Sequence, residues 1–155
     1  MSESTEMKSH GISFNQEVME NGELRIRLSS QDGSAYIRTE SGESGAWQNS
    51  HYHLDLEETY IVQKGWICIA ELIDGDLSLR IKKENGLYTV KPMVSHNLYL
   101  PANAIIHTVK HGKAKQGDWH ENKKLDALTK HLSEINIKKT VEDLLNNMKP
   151  LINIK

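Results

Sequence analysis

The chain has 155 residues, with 19 basic and 21 acidic side chains and a net charge of -2. That length suits one domain with a sizeable core, and the near-even charge argues against a dedicated nucleic-acid binder. A single cysteine, Cys68, excludes an intramolecular disulfide scaffold. The polar stretch up to Asn15 lacks the apolar core of a secretory signal, and no window approaches the ~18 apolar residues of a membrane span. The expectation is a soluble cytoplasmic protein with no membrane partner.

In chain order, residues 1–15 read as a flexible N-terminus, 16–118 as a β-domain and 119–155 as a helical extension. Leu24, Ile26 and Leu28 alternate with Arg25, Arg27 and Ser29, the pattern of a strand with one buried apolar face. Ala35 to Arg38 forms a second strand. Thr59 to Val62 and Trp66 to Leu72 follow on either side of Lys64-Gly65. Asp74-Gly75 and Asn85-Gly86 are hairpin signals, leading into Leu77 to Ile81 and Leu87 to Val90. Asn97 to Leu100 and Ile105 to Lys110 complete an antiparallel all-β series with no room for crossover helices. Cys68, inside an apolar run, reads as a buried small hydrophobe. Past residue 118 the period changes. Leu125, Leu128 and Leu132 form one helical stripe and Val141, Leu144, Leu145 and Met148 another. Thr140 with Asp143 resembles a capping box, and Pro150 should stop the second helix. These helices are expected on the exterior of the β-domain or on a partner subunit.

The chemistry concentrates between Gly45 and Gly65. His51 and His53 stand two apart, and side chains two apart on a strand share a face. Glu58, on the next strand, can join them. Two imidazoles and a carboxylate form a common site for a divalent transition metal with open coordination positions.

Gly45, His51, His53, Glu58 and Gly65 satisfy every spacing of G-x5-H-x-H-x4-E-x6-G, and through them the chain resembles the cupin superfamily. A second cupin signature, G-x5-P-x-G-x2-H-x3-N, is matched more loosely by Pro101, Asn103 and His107. Ser95 replaces its first glycine, Asn103 its second, and His111 its asparagine. One extra residue separates Asn103 from His107. The resemblance implies a cupin-like antiparallel β-barrel, or jelly roll, with C-terminal α-helices. It also implies a metal (iron, manganese, nickel, zinc or copper) held by His51, His53, Glu58 and His107, with His96 as a weaker substitute for His107. The extra residue is expected in the turn, leaving His107 on the inner face with Val109 and His111. His10, His120 and His131 read as solvent-facing.

Tyr60 and Val62 alternate with Glu58 and should line the pocket. Tyr60 is the candidate proton donor and Val62 a substrate-contacting wall. Trp47 and Tyr52 flank the histidines and are candidate substrate contacts, and Lys110 and Arg38 are candidate anion holders. The leading functional expectation is metal-assisted isomerase or epimerase chemistry on a small polar, carbohydrate-type molecule. The alternatives are a non-catalytic binding or sensing module and an iron-dependent dioxygenase. A homodimer is expected, with the strand Leu24 to Leu28 as its pairing element.

Overall fold

Alternating apolar residues and tight turns produce two antiparallel sheets. The computed structural model describes residues 10–113 and 117–152, with side chains through 146, and twelve strands lie among these described residues. They are β1 (Ile12–Val18), β2 (Leu24–Ser30), β3 (Ala35–Glu40), β4 (Ala46–Trp47), β5 (His51–Tyr52) and β6 (Glu57–Lys64). They continue with β7 (Trp66–Ile73), β8 (Asp76–Lys83), β9 (Leu87–Val90), β10 (Ser95–Leu100), β11 (Ile105–His111) and β12 (His120–Glu121). One sheet runs β1-β2-β3-β11-β6-β9 and the other β12-β5-β10-β7-β8, with β4 beside β10. β1 begins inside the segment expected to be flexible; residues 1–9 lie outside the described residues.

The turns follow their residue chemistry. Asp74 (φ 51°) and Gly75 (φ 86°) close the β7–β8 hairpin, and Asn103 adopts φ 63°, the left-handed conformation a turn glycine would otherwise supply. Gly45 is required for a different reason. A Cβ there would fall 2.0 Å from Tyr99 Oη.

Between the sheets, Tyr60, Val62, Ile67, Ile69, Leu98, Leu100 and Ile106 form the main core. On the outer side of the second sheet, Trp47, Cys68, Ala70, Leu79 and Tyr99 pack under Ile137. Ile137 belongs to the second of two helices, α1 (Lys123–Thr129) and α2 (Glu134–Ile152). Their place on the exterior agrees with the sequence expectation, but the boundaries of α2 do not. Ser133 Oγ accepts from Asn136 N at 3.2 Å, so the cap lies at Ser133 rather than Thr140, and the helix extends past Pro150. Among the described residues no helix is long and apolar enough to cross a membrane.

The strand β2 reverses its expected polarity. Arg25 pairs with Thr39 and Arg27 with Ile37, both buried, whereas Ile26 lies opposite Arg38 and Leu28 opposite Tyr36. Directly paired residues share a face. The arginines therefore point between the sheets, and the apolar side chains point outward. β2 is also flanked on both sides, by β1 and β3, so it offers no free edge for pairing with a second subunit. The edges of its sheet are β1 and β9.

Candidate metal centre

Three imidazoles converge on one carboxylate oxygen. His51 Nε2 lies 3.2 Å, His53 Nε2 2.9 Å and His96 Nε2 2.8 Å from Glu58 Oε2. All four residues are buried, and their ligand atoms lie within 4.8 Å of one another. His51 sits on β5 directly opposite His96 on β10; Glu58 comes from β6 in the facing sheet. The cluster thus bridges the two sheets.

The other ring nitrogens decide what the cluster can hold. His51 Nδ1 lies 3.0 Å from the Asn49 carbonyl, His96 Nδ1 lies 2.9 Å from the Val94 carbonyl, and His53 Nδ1 contacts the Asp118 carbonyl. A carbonyl only accepts, so each Nδ1 carries the proton and donates. In a neutral ring the Nε2 then presents a lone pair. Three lone pairs aimed at a carboxylate leave four acceptors facing one another with no donor between them.

The electrostatics point the same way. Burial works against an ionised Glu58, but its carboxyl is held well below the ordinary range by the His51, His53 and His96 contacts, which favour the carboxylate only when a proton or a metal ion stands between nitrogen and oxygen, and by Lys110. Burial also lowers His51 below its ordinary value, so the ring resists the proton that would pair it with Glu58. A divalent cation satisfies both demands at once. Three nitrogens and one oxygen suit a transition metal, and the donor set does not choose among iron, manganese, nickel and zinc.

The surrounding chain fixes these ligands. The Asp118 carboxylate accepts from the backbone N–H groups of Leu54 (2.7 Å), Asp55 (3.0 Å) and Leu56 (3.2 Å), while its carbonyl takes the His53 proton. Burial raises the Asp118 carboxyl, but the three N–H bonds outweigh that and leave it below its ordinary value. Trp119 stacks on His51 with ring centroids 5.3 Å apart. From α1, Asp126 Oδ1 accepts from Ser50 N at 2.9 Å. The C-terminal segment therefore braces the loop that carries the histidines.

His107 is not part of this cluster. Its Nδ1 lies 2.6 Å from Tyr36 Oη and its Nε2 2.6 Å from Gln63 Oε1, on the outer face of the first sheet. The Gln63 oxygen takes the Nε2 proton and the Tyr36 hydroxyl occupies the Nδ1 lone pair, so no donor atom remains for a metal. The cause is the extra residue after Asn103. Counted from Pro101 at the signature spacing, the inward histidine position falls on Ile106, which is fully buried, and His107 falls on the next, outward one. The register agrees: Ile106, Thr108 and Lys110 pair with Val62, Tyr60 and Glu58. Val109 and His111 share the outer face with His107, and His111 Nε2 lies 2.9 Å from Thr59 Oγ1.

The remaining candidates divide. Tyr60 points inward and borders, with His51, Glu58 and Trp119, a cavity of about 280 Å3. Burial and the neighbouring Glu58 carboxylate push its hydroxyl well above the ordinary range, so the phenol keeps its proton at neutral pH. Lys110 reaches the same cavity, with its Nζ 4.0 Å from Glu58 Oε1. Val62 is a core residue beneath it. Trp47 lies elsewhere, donating its indole N–H to the Leu132 carbonyl at 2.9 Å under the helices. It borders a separate cavity of about 880 Å3 with Tyr99 and Lys130. Tyr52 stacks on His120 outside the cluster, and Arg38 pairs with Glu40 at 3.2 Å on the outer face.

No family model and no curated protein matches the chain. Solved structures do. Oxalate decarboxylase from Bacillus subtilis superposes with a TM-score of 0.58 at 12% identity, covering 92% of this chain and 37% of that one, so the chain spans little more than a third of it. An RmlC-like cupin from Shewanella frigidimarina gives 0.52 at 17% identity, covering 67% and 87%. Streptomyces PAC13, solved with uridine, gives 0.54 at 14% identity, covering 70% and 84%. Two antiparallel sheets, a cluster of three histidines and one glutamate between them and these superpositions establish that the chain has the cupin fold.

Proposed function

We propose that this protein is a metal-dependent enzyme acting on a small polar molecule by proton transfer, of the isomerase or epimerase type. The observation that carries this reading is the placement of a protonated Tyr60 phenol beside a cavity bordered by His51 and Glu58 of the four-ligand cluster. A divalent ion held by His51, His53, Glu58 and His96 would polarise a carbonyl or anchor adjacent hydroxyl oxygens. Tyr60 supplies a hydrogen bond or a proton to the same substrate. A cavity of about 280 Å3 lies at the lower end of ligand-site volumes, which matches a small substrate.

Metal-dependent solvent deuterium exchange into members of a panel of polyols, sugars, sugar acids and sugar phosphates tests the reading. Incorporation by the wild type that falls at least tenfold in Tyr60→Phe supports it. Oxygen uptake without exchange would favour an iron-dependent dioxygenase, and tight binding without turnover a sensing module. We also propose a cytoplasmic homodimer, formed through the β1 edge and the outward Leu28 and Tyr36, each 37% exposed; a monomer mass by light scattering would remove it.

A further inference from the structure

The strand β2 presents charge where its sheet should present apolar surface. Arg25 and Arg27 face inward, at the expense of Ile26 and Leu28, which face outward. Placing two guanidinium groups between sheets is costly unless charge of the opposite sign meets them. The cavity beside the metal cluster is where both side chains arrive, together with Lys110.

The partners on hand leave Arg27 without an ion pair among the described residues. Arg25 Nε and Nη2 lie 3.1 and 2.6 Å from Glu23 Oε2, and its side chain is only 14% exposed. Glu23 is held in turn by Gln48 Nε2 at 3.1 Å, so Arg25 is fixed with its Nη1 outside these bonds. Lys110 stands 4.0 Å from Glu58. Among the described residues no carboxylate lies within ion-pair distance of Arg27. Three side-chain cations meet three carboxylates, Glu23, Glu58 and Asp118; Asp118 borders an adjoining cavity with Arg27 and Lys110 but is taken up by three backbone N–H groups, and a divalent ion at the cluster would leave positive charge in excess. β2 stands three strands from β6 in the same sheet, roughly 14 Å on a flat sheet before the side chains reach inward. The span left between guanidinium and Glu58 suits a short ligand.

We propose that the cavity takes a small molecule carrying an oxyanion, a carboxylate or a phosphate. Its charged end sits on Arg25 and Arg27, and a further oxygen is directed at the His51–His53–Glu58–His96 cluster. Guanidinium forks match planar or tetrahedral oxyanions through paired N–H donors, which a neutral polyol cannot answer with charge. This names the substrate class of the reading above and rests on that reading only for the metal end.

Isothermal titration calorimetry with malonate, inorganic phosphate and glycerol tests it, on wild type, Arg25→Gln, Arg27→Gln and Arg27→Lys, each metal-loaded and chelator-stripped. One or both anions bind the wild type and glycerol does not. Each Arg→Gln variant weakens anion binding at least tenfold with unchanged metal content, and Arg27→Lys recovers part of the loss. Preference for malonate identifies a carboxylate ligand, and preference for phosphate a phosphorylated one. Equal binding by wild type and both Gln variants, no anion binding by wild type, or glycerol binding as tightly as the anions would overturn the proposal. If a Gln variant fails to fold, the anion-against-glycerol comparison on wild type decides alone. Arginine-dependent anion binding by a protein that never loads metal would leave this site standing while removing the metal-dependent reading.

Discussion

Asp118→Ala should loosen the metal centre from outside it. The carboxylate accepts three backbone N–H groups, from Leu54, Asp55 and Leu56. In the alanine variant water can replace it at the two exposed sites, which limits the loss there. Leu56, 4% exposed, has no such substitute, and an unsatisfied buried N–H costs about 1–3 kcal/mol. The sum is about 2 kcal/mol, or about 4–8 °C in Tm for a chain of this size. The His53 partner is the backbone carbonyl of Asp118, which alanine keeps; loss of the carboxylate loosens the segment that holds this carbonyl, and metal affinity should fall by roughly 10-fold. Thermal unfolding of the stripped protein and metal titration of the folded one read the two effects separately. The pH dependence has a definite sign. The folded Asp118 carboxyl lies below its unfolded value, so its contribution is complete above ~4 and is lost as pH falls through the folded value. The gap in stability between wild type and Asp118→Ala should therefore hold from pH 7 down to ~4 and close below it. A Tm within about 1 °C of wild type at pH 7, together with unchanged metal affinity, would refute the bracing role.

Two further outcomes follow from the packing. Trp119 stacks on His51, whereas Trp47 and Trp66 lie in the helix-side cluster, so copper(II) or cobalt(II) loading should quench indole fluorescence through Trp119. The quench should vanish in Trp119→Phe; an equal quench in that variant would place the ion elsewhere. Burial pushes the Cys68 thiol up to about 12, and the folded protein should resist a thiol-reactive disulfide reagent at pH 8. Reaction as fast as in denaturant would contradict its buried placement.

The first signature made most of the site legible because its spacing maps directly onto geometry. His51, His53 and Glu58 meet as the period of a strand and one turn dictate. The fourth ligand was harder, since a single inserted residue reverses the face of everything that follows it. That inversion put His107 on Tyr36 and left β11 to line the cavity with Thr108 and Lys110. A signal for His96 was present in β10, where it shares parity with Leu98 and Leu100, both in the inter-sheet core. Asp118 carried no such signal, because its role depends on a contact 64 residues away from Leu54 that no local pattern encodes. The arginines of β2 misled for a physical reason. Alternation reports two faces without saying which is inside, and here the charged face is the inner one.

His51, His53, Glu58 and His96 should hold one divalent ion without His107. Elemental mass spectrometry on untagged wild type, His96→Ala and His107→Ala, each reconstituted and desalted, tests it most directly. Near-stoichiometric metal in wild type and His107→Ala, with loss in His96→Ala, is the predicted result. Metal retained in His96→Ala and lost in His107→Ala, or absent from wild type after reconstitution, would rule out this ligand set.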